Sequence, residues 1–63
     1  MRKIKVFKEV MKRYSHSREK EYRYTGILLQ FGLLNGSTSA IVERASGEIE
    51  NIPLNLVKFV YKD

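Results

Sequence analysis

Few side chains in this chain have the type and spacing that covalent or proton-transfer chemistry needs. His16 is the single histidine and sits in the polar run Ser15-His16-Ser17-Arg18-Glu19-Lys20-Glu21. A serine adjacent to a histidine in sequence does not form a nucleophile-base pair, and Asp63, the single aspartate, is far from both in sequence. One histidine with scattered glutamates also supplies too few ligands at useful spacing for a metal ion. Glu48 and Glu50 share one face of a predicted strand, with Glu43 across a hairpin. Paired carboxylates can exchange protons, but on a small sheet three glutamates in this pattern read as a solvated face. Glycines 26, 32, 36 and 47 fall at bends and turns, without the spacing of a phosphate-binding loop. The expectation is a protein with no catalytic residues, no metal and no cofactor, and hence not an enzyme.

What remains is binding, and the charge distribution says where. Residues 1–23 hold nine Lys or Arg against three Glu, a net of +6, whereas residues 24–63 hold three against four acids, a net of −1. The overall +5 therefore belongs to the first third. A segregated basic segment favours approach to acidic partners. Tyrosines 14, 22 and 24 are interleaved with it, which selects Lys5, Lys12, Arg13, Tyr14, Arg18, Lys20, Tyr22, Arg23 and Tyr24 as the candidate partner-binding residues. Arg and Tyr are common anchors on protein interfaces, and small barrels that bind single-stranded nucleic acid pair cations with stacking rings. An acidic protein face and a nucleic acid are both open. No ribonucleoprotein signature is present.

At 63 residues the chain makes one domain, 1–63, and buries only about 60% of the surface that its unfolded form exposes. It has no cysteine to staple a thin core. The start of the chain, residues 1–8, alternates basic and apolar residues rather than forming a signal-like apolar run, and the apolar stretch 26–34 is far short of a membrane span. A cytoplasmic protein with no membrane partner is expected.

The elements that must position the basic residues read as strands. Ile4, Val6 and Val10 alternate along residues 3–8 and onward, although Ile4, Phe7 and Met11 also fit a helix face, so residues 8–14 stay open between strand and helix. Residues 15–21 read as an exposed first loop. Residues 22–33 read as a strand whose core face is Ile27, Leu29, Phe31 and Leu33, with Gly26 at a bend. Asn35-Gly36 is a tight hairpin signal into a strand at 38–44, and Ala45-Ser46-Gly47 a second into 48–52. Pro53 cannot donate to a ladder and ends that strand; residues 54–57 suit one 3₁₀ turn before a last strand from Lys58. Five short strands at this spacing predict an all-β, antiparallel, small barrel. Leu28, Leu34 and Leu54, left over from the core, also suit a homodimer or a partner strand added at an open edge.

The run Gly47, Ile52, Pro53, Asn55, Val57 resembles the end of an SH3 domain, where a glycine-turned strand enters a Pro-Ser-Asn-Tyr-Val turn before the final strand. The resemblance implies a five-stranded SH3-like barrel with one 3₁₀ turn before the last strand. It does not carry the proline-rich ligand: there is no tryptophan, Leu56 stands at the motif tyrosine, and the Ala-Leu-Tyr-Asp-Tyr start is missing. Residues 22–61, through Tyr24-Thr25-Gly26-Ile27-Leu28, Phe31-Gly32, Ala40-Ile41-Val42-Glu43, Gly47-Glu48-Ile49 and Val57-Lys58-Phe59, are also similar to short SH3-like proteins of Gram-positive bacteria and their phages. That likeness implies a phage or prophage accessory protein acting on a host protein, and it sets an acidic host-protein face ahead of nucleic acid.

Overall fold

The computed structural model describes residues 2–12 and 18–60, so Arg13, Tyr14 and His16 lie outside the described residues. It is all-β: β1 (Arg2–Met11), β2 (Arg18–Leu34), β3 (Ser37–Glu43), β4 (Ile49–Pro53) and β5 (Val57–Phe59), with one 3₁₀ turn, Leu54–Leu56, before β5. All pairings are antiparallel, in the order β4-β3-β2-β1-β5. β4 and β5 are the two edges and do not pair with each other, so the ladder is not closed. No helix among the described residues is long and apolar enough to cross a membrane.

Local chemistry explains the turns. Asn35 and Gly36 both have positive φ, 52° and 81°, which is the twist a two-residue hairpin needs between Leu34 and Ser37. At the second hairpin the Gly47 amide donates to the Arg44 carbonyl and the Arg44 amide to the Glu48 carbonyl, with Gly47 at φ 93°. That is a three-residue loop closed by a left-handed glycine. Pro53 is the last residue of β4, opposite Ser39, and Leu54 follows it directly into the 3₁₀ turn.

The core is Ile4 and Val6 from β1, Ala40 and Val42 from β3 and Ile52 from β4, with Tyr24, Leu28, Leu56, Val57 and Phe59 packed around it. β1 and β3 are separated in the sheet by β2. For Ile4 and Val42 to share one core, the sheet must fold over along β2, and Gly26 is where it does so. A Cβ on Gly26 would lie 2.7 Å from the Glu43 carbonyl oxygen and 2.7 Å from Val42 Cγ1.

Two bulges reset the alternation of β2. Val6 faces Tyr24 and Phe7 faces Tyr22, leaving Arg23 unopposed; Leu28 faces Val42 and Gln30 faces Ile41, leaving Leu29 unopposed. Each extra residue shifts the pleat by one. The expected core face Ile27, Leu29, Phe31, Leu33 is therefore not what β2 buries. Ile27 pairs with Lys3 and Glu43 on the outer face, Leu29 is half exposed, and Phe31 and Leu33 reach the inner face only near its open end, where Leu33 is 72% exposed. Phe31 keeps one edge-on contact, 6.3 Å between centroids, with Phe59.

β2 also begins earlier than its sequence signals. Residues 18–21, read as loop, are strand, and β1 stays extended through Met11.

Candidate partner-binding face

Beyond Val6 and Tyr24 the two long strands pair only with each other, so residues 7–11 and 18–22 form a two-stranded ribbon standing out from the sheet. Its two faces differ. On the face continuous with the core, Lys8 is opposite Glu21 and meets it at 3.9 Å, and Lys12 meets Glu19 at 3.6 Å. These exposed pairs contribute little stability, about 0.2–1 kcal/mol each. Their larger effect is to cancel charge.

On the outer face the pleat brings together Lys3, Lys5, Phe7 and Glu9 of β1, Arg18, Lys20, Tyr22 and Thr25 of β2, and Lys58 of β5, which is directly opposite Lys5. Arg18 closes on Glu9 at 3.9 Å. Lys20 is opposite Glu9 in register, yet Lys3, Lys5, Lys20 and Lys58 make no ion pair among the described residues. Glu43 on this face lines with Lys3 a cleft of about 250 Å³ beside the β3–β4 hairpin.

Two rings lie among these lysines. Phe7 and Tyr22 meet edge to face with centroids 6.1 Å apart, and the Tyr22 hydroxyl is 2.7 Å from Thr25 Oγ1. Thr25 is opposite Lys5, so this bond lays the Tyr22 ring back along the sheet toward Lys5. Tyr22 remains 56% exposed. Phe7 and Lys20 line a second cleft, of about 180 Å³, with Lys58, Val57 and Asn55.

Tyr24 and Arg23 have another task. The Tyr24 hydroxyl donates to Glu50 Oε1, and Arg23 Nη2 reaches both Glu50 oxygens at 3.2 Å, tying β2 to β4 across the folded sheet. Arg44 and Arg23 lie over the Tyr24 ring at 4.6 and 5.2 Å. Burial and the bond to Glu50 push the Tyr24 hydroxyl up to about 12. The same bond, against the opposing effect of burial, and the Arg23 guanidinium hold the Glu50 carboxyl below the usual range.

The nine candidates thus separate. Lys5, Lys20 and Tyr22 share the outer face with Arg18, whose charge Glu9 meets; Lys12 is on the opposite ribbon face with Glu19; Arg23 and Tyr24 are engaged by Glu50; Arg13 and Tyr14 lie outside the described residues. Phe7 and Lys58 complete the face and were not among the nine. Lys58 comes from the acidic two-thirds of the chain, and only the β1–β5 pairing reveals it as a neighbour of Lys5. Among the described residues no three of His, Cys, Asp and Glu cluster as metal ligands would.

Comparisons with protein-family models, with curated proteins and with solved structures return no match to this chain.

Proposed function

We propose that this chain is an SH3-like barrel serving as a non-catalytic binding module, and that the outer face of β1, β2 and β5 docks on an anionic macromolecular partner. The barrel reading is supported by the strand order, by a long β2 shared between both halves of the fold, and by the 3₁₀ turn after Pro53.

The observation that carries the docking reading is the set Lys3, Lys5, Lys20 and Lys58, which make no ion pair among the described residues, while the lysines on the ribbon's other face are neutralised. Like charges directly opposite each other on a sheet are destabilising, and Lys5 and Lys58 are such a pair. A negative partner relieves that repulsion.

An acidic host-protein face in a cytoplasmic setting is the partner reading that follows from the sequence resemblance of residues 22–61 to phage proteins, together with the absence of cysteine. The exposed Tyr22 ring is the specific observation that favours nucleic acid instead.

Elution from immobilised heparin tests the charge argument independently of partner class. Lys5→Gln/Lys58→Gln is expected to elute at clearly lower salt than Lys8→Gln/Lys12→Gln, although both remove two charges. Equal losses would mean that net charge alone drives retention and that no face is specialised.

A further inference from the structure

We infer that the occupant of the lysine face is a single-stranded nucleic acid, with bases stacking on Tyr22 and Phe7 and phosphates held by Lys3, Lys5, Lys20 and Lys58. The inference rests on the anionic docking proposed above and adds the class of partner.

Charge by itself fits any polyanion. The rings discriminate. An edge-to-face pair with one ring 56% exposed, set among four cations on an extended sheet surface, offers the two things that an unpaired strand presents together: flat base faces and a regular line of phosphates. The Tyr22 hydroxyl bond to Thr25 fixes the ring before any ligand arrives, which reduces the ordering cost of stacking. An acidic protein face would use the lysines and could seat Tyr22 as an anchor, but it has no repeating array of flat faces to match the ring pair and the cations together.

A duplex fits less well. Its base faces are already stacked, and entry into the major groove would use the protruding ribbon. The ribbon has no net charge to offer the phosphate walls, because Lys8, Arg18 and Lys20 are matched in number by Glu9, Glu19 and Glu21. Lys5, Lys20 and Lys58, which make no ion pair among the described residues, flank the ring pair on the outer face, with Lys3 two positions beyond Lys5 along β1, so the strand is expected to lie across the face.

Fluorescence anisotropy with a labelled oligothymidylate of about 12 nucleotides, inside the range of small-barrel site sizes, tests this against a duplex of equal length. The single strand is expected to bind more tightly at the same salt. Tyr22→Ala should weaken it by about 5- to 150-fold, the equivalent of one lost stack, without altering the salt dependence. Tyr22→Phe, which keeps the ring and loses only the bond to Thr25, should weaken binding far less than Tyr22→Ala. Lys5→Gln/Lys58→Gln should lower the slope of log K against log salt by about 1.4, from two lost phosphate contacts at about 0.7 each. Melting curves of each variant establish that the fold persists.

Equal affinity for strand and duplex, or wild-type affinity in a folded Tyr22→Ala, overturns the inference. If the oligonucleotide does not bind while heparin retention still depends on Lys5 and Lys58, the strand is wrong and an acidic protein takes its place. If heparin retention is also indifferent to those lysines, the docking reading itself fails.

Discussion

Gly26→Ala puts the bend of β2 to a direct test. The added Cβ would stand 2.7 Å from the Glu43 carbonyl oxygen, 2.7 Å from Val42 Cγ1 and 3.3 Å from Tyr24 Cε1. The carbonyl belongs to the strand pair in which Ile27 faces Glu43, so it can move only by loosening β2 from β3, and Val42 is fully buried. Overpacking of this kind costs about 1–3 kcal/mol. Alanine restricts the unfolded chain more than glycine does, which returns about 0.4–1 kcal/mol, so a net loss centred on about 1.3 kcal/mol, and at most about 2.6 kcal/mol, is expected. Total stability at about 0.05–0.15 kcal/mol per residue is about 3–9 kcal/mol for this chain, and the loss is therefore a sizeable part of it. Urea unfolding followed by far-ultraviolet circular dichroism should show the midpoint falling by about 1–2 M, with a slope near the low end of the small-protein range, about 1 kcal/mol/M. Gly32→Ala is the comparison: its Cβ meets Ile41 Cδ1 at 3.0 Å, the tip of a side chain that can rotate away, and its midpoint should move far less. A Gly26→Ala midpoint equal to or above wild type would show that β2 and β3 do not approach closely there, and the account of how β1 and β3 come to share a core would fall.

The remaining expectations concern the core and the Tyr24–Glu50 contact. Ile4→Ala should cost about 2–5 kcal/mol in the same unfolding assay, while Leu33→Ala, at an exposed site, should stay within about 0.5 kcal/mol; the reverse order would restore the simple alternation of β2. Because Glu50 is held below its ordinary value in the folded state, its stabilising contribution is present above the unfolded pKa of 4.5 and is lost as pH falls through the lower folded value. Glu50→Gln should accordingly lower the urea midpoint near neutrality and flatten its acid limb, and an unchanged acid limb would show that the carboxylate contributes nothing through this contact. Tyr24 has the opposite sign: its contribution is complete below 10 and is lost as pH rises through about 12, so Tyr24→Phe should remove part of the alkaline decline in the midpoint.

Much of the frame is legible in the residues. The alternation of Ile4 and Val6, the Asn35-Gly36 and Ala45-Ser46-Gly47 turns and the stop at Pro53 each act through local chemistry, and each appears where that chemistry puts it. The bulges do not announce themselves. Arg23 and Leu29 are ordinary strand residues, and they become the unopposed ones only because Val6 and Val42 fix the register on either side. One unseen bulge at Leu29 puts Ile27 and Phe31 on opposite faces, so a single alternation could not assign both. The start of β2 was hidden for a related reason: residues 18–21 have no apolar pattern, and their strand is supported by cross-strand charges that need the register to be recognised. At the candidate face the sequence identifies Lys5, Lys20 and Tyr22 but cannot separate them from Arg23 and Tyr24, whose partner Glu50 is more than twenty-five positions away. Nor can it bring Lys58 beside Lys5.

The three-residue strand β5 has a kinetic meaning. The β2–β3 and β3–β4 hairpins join residues close in sequence, whereas Ile4 and Phe59 are 55 positions apart when they pair. Closing so long a loop for so few ladder bonds has little reward until the meander has gathered the core residues that Val57 and Phe59 then cover. Docking of β5 is thus expected to be the last step of folding and the first contact to open. Lys58 travels with it, so a ligand spanning Lys5 and Lys58 would hold β1 and β5 together and slow their separation.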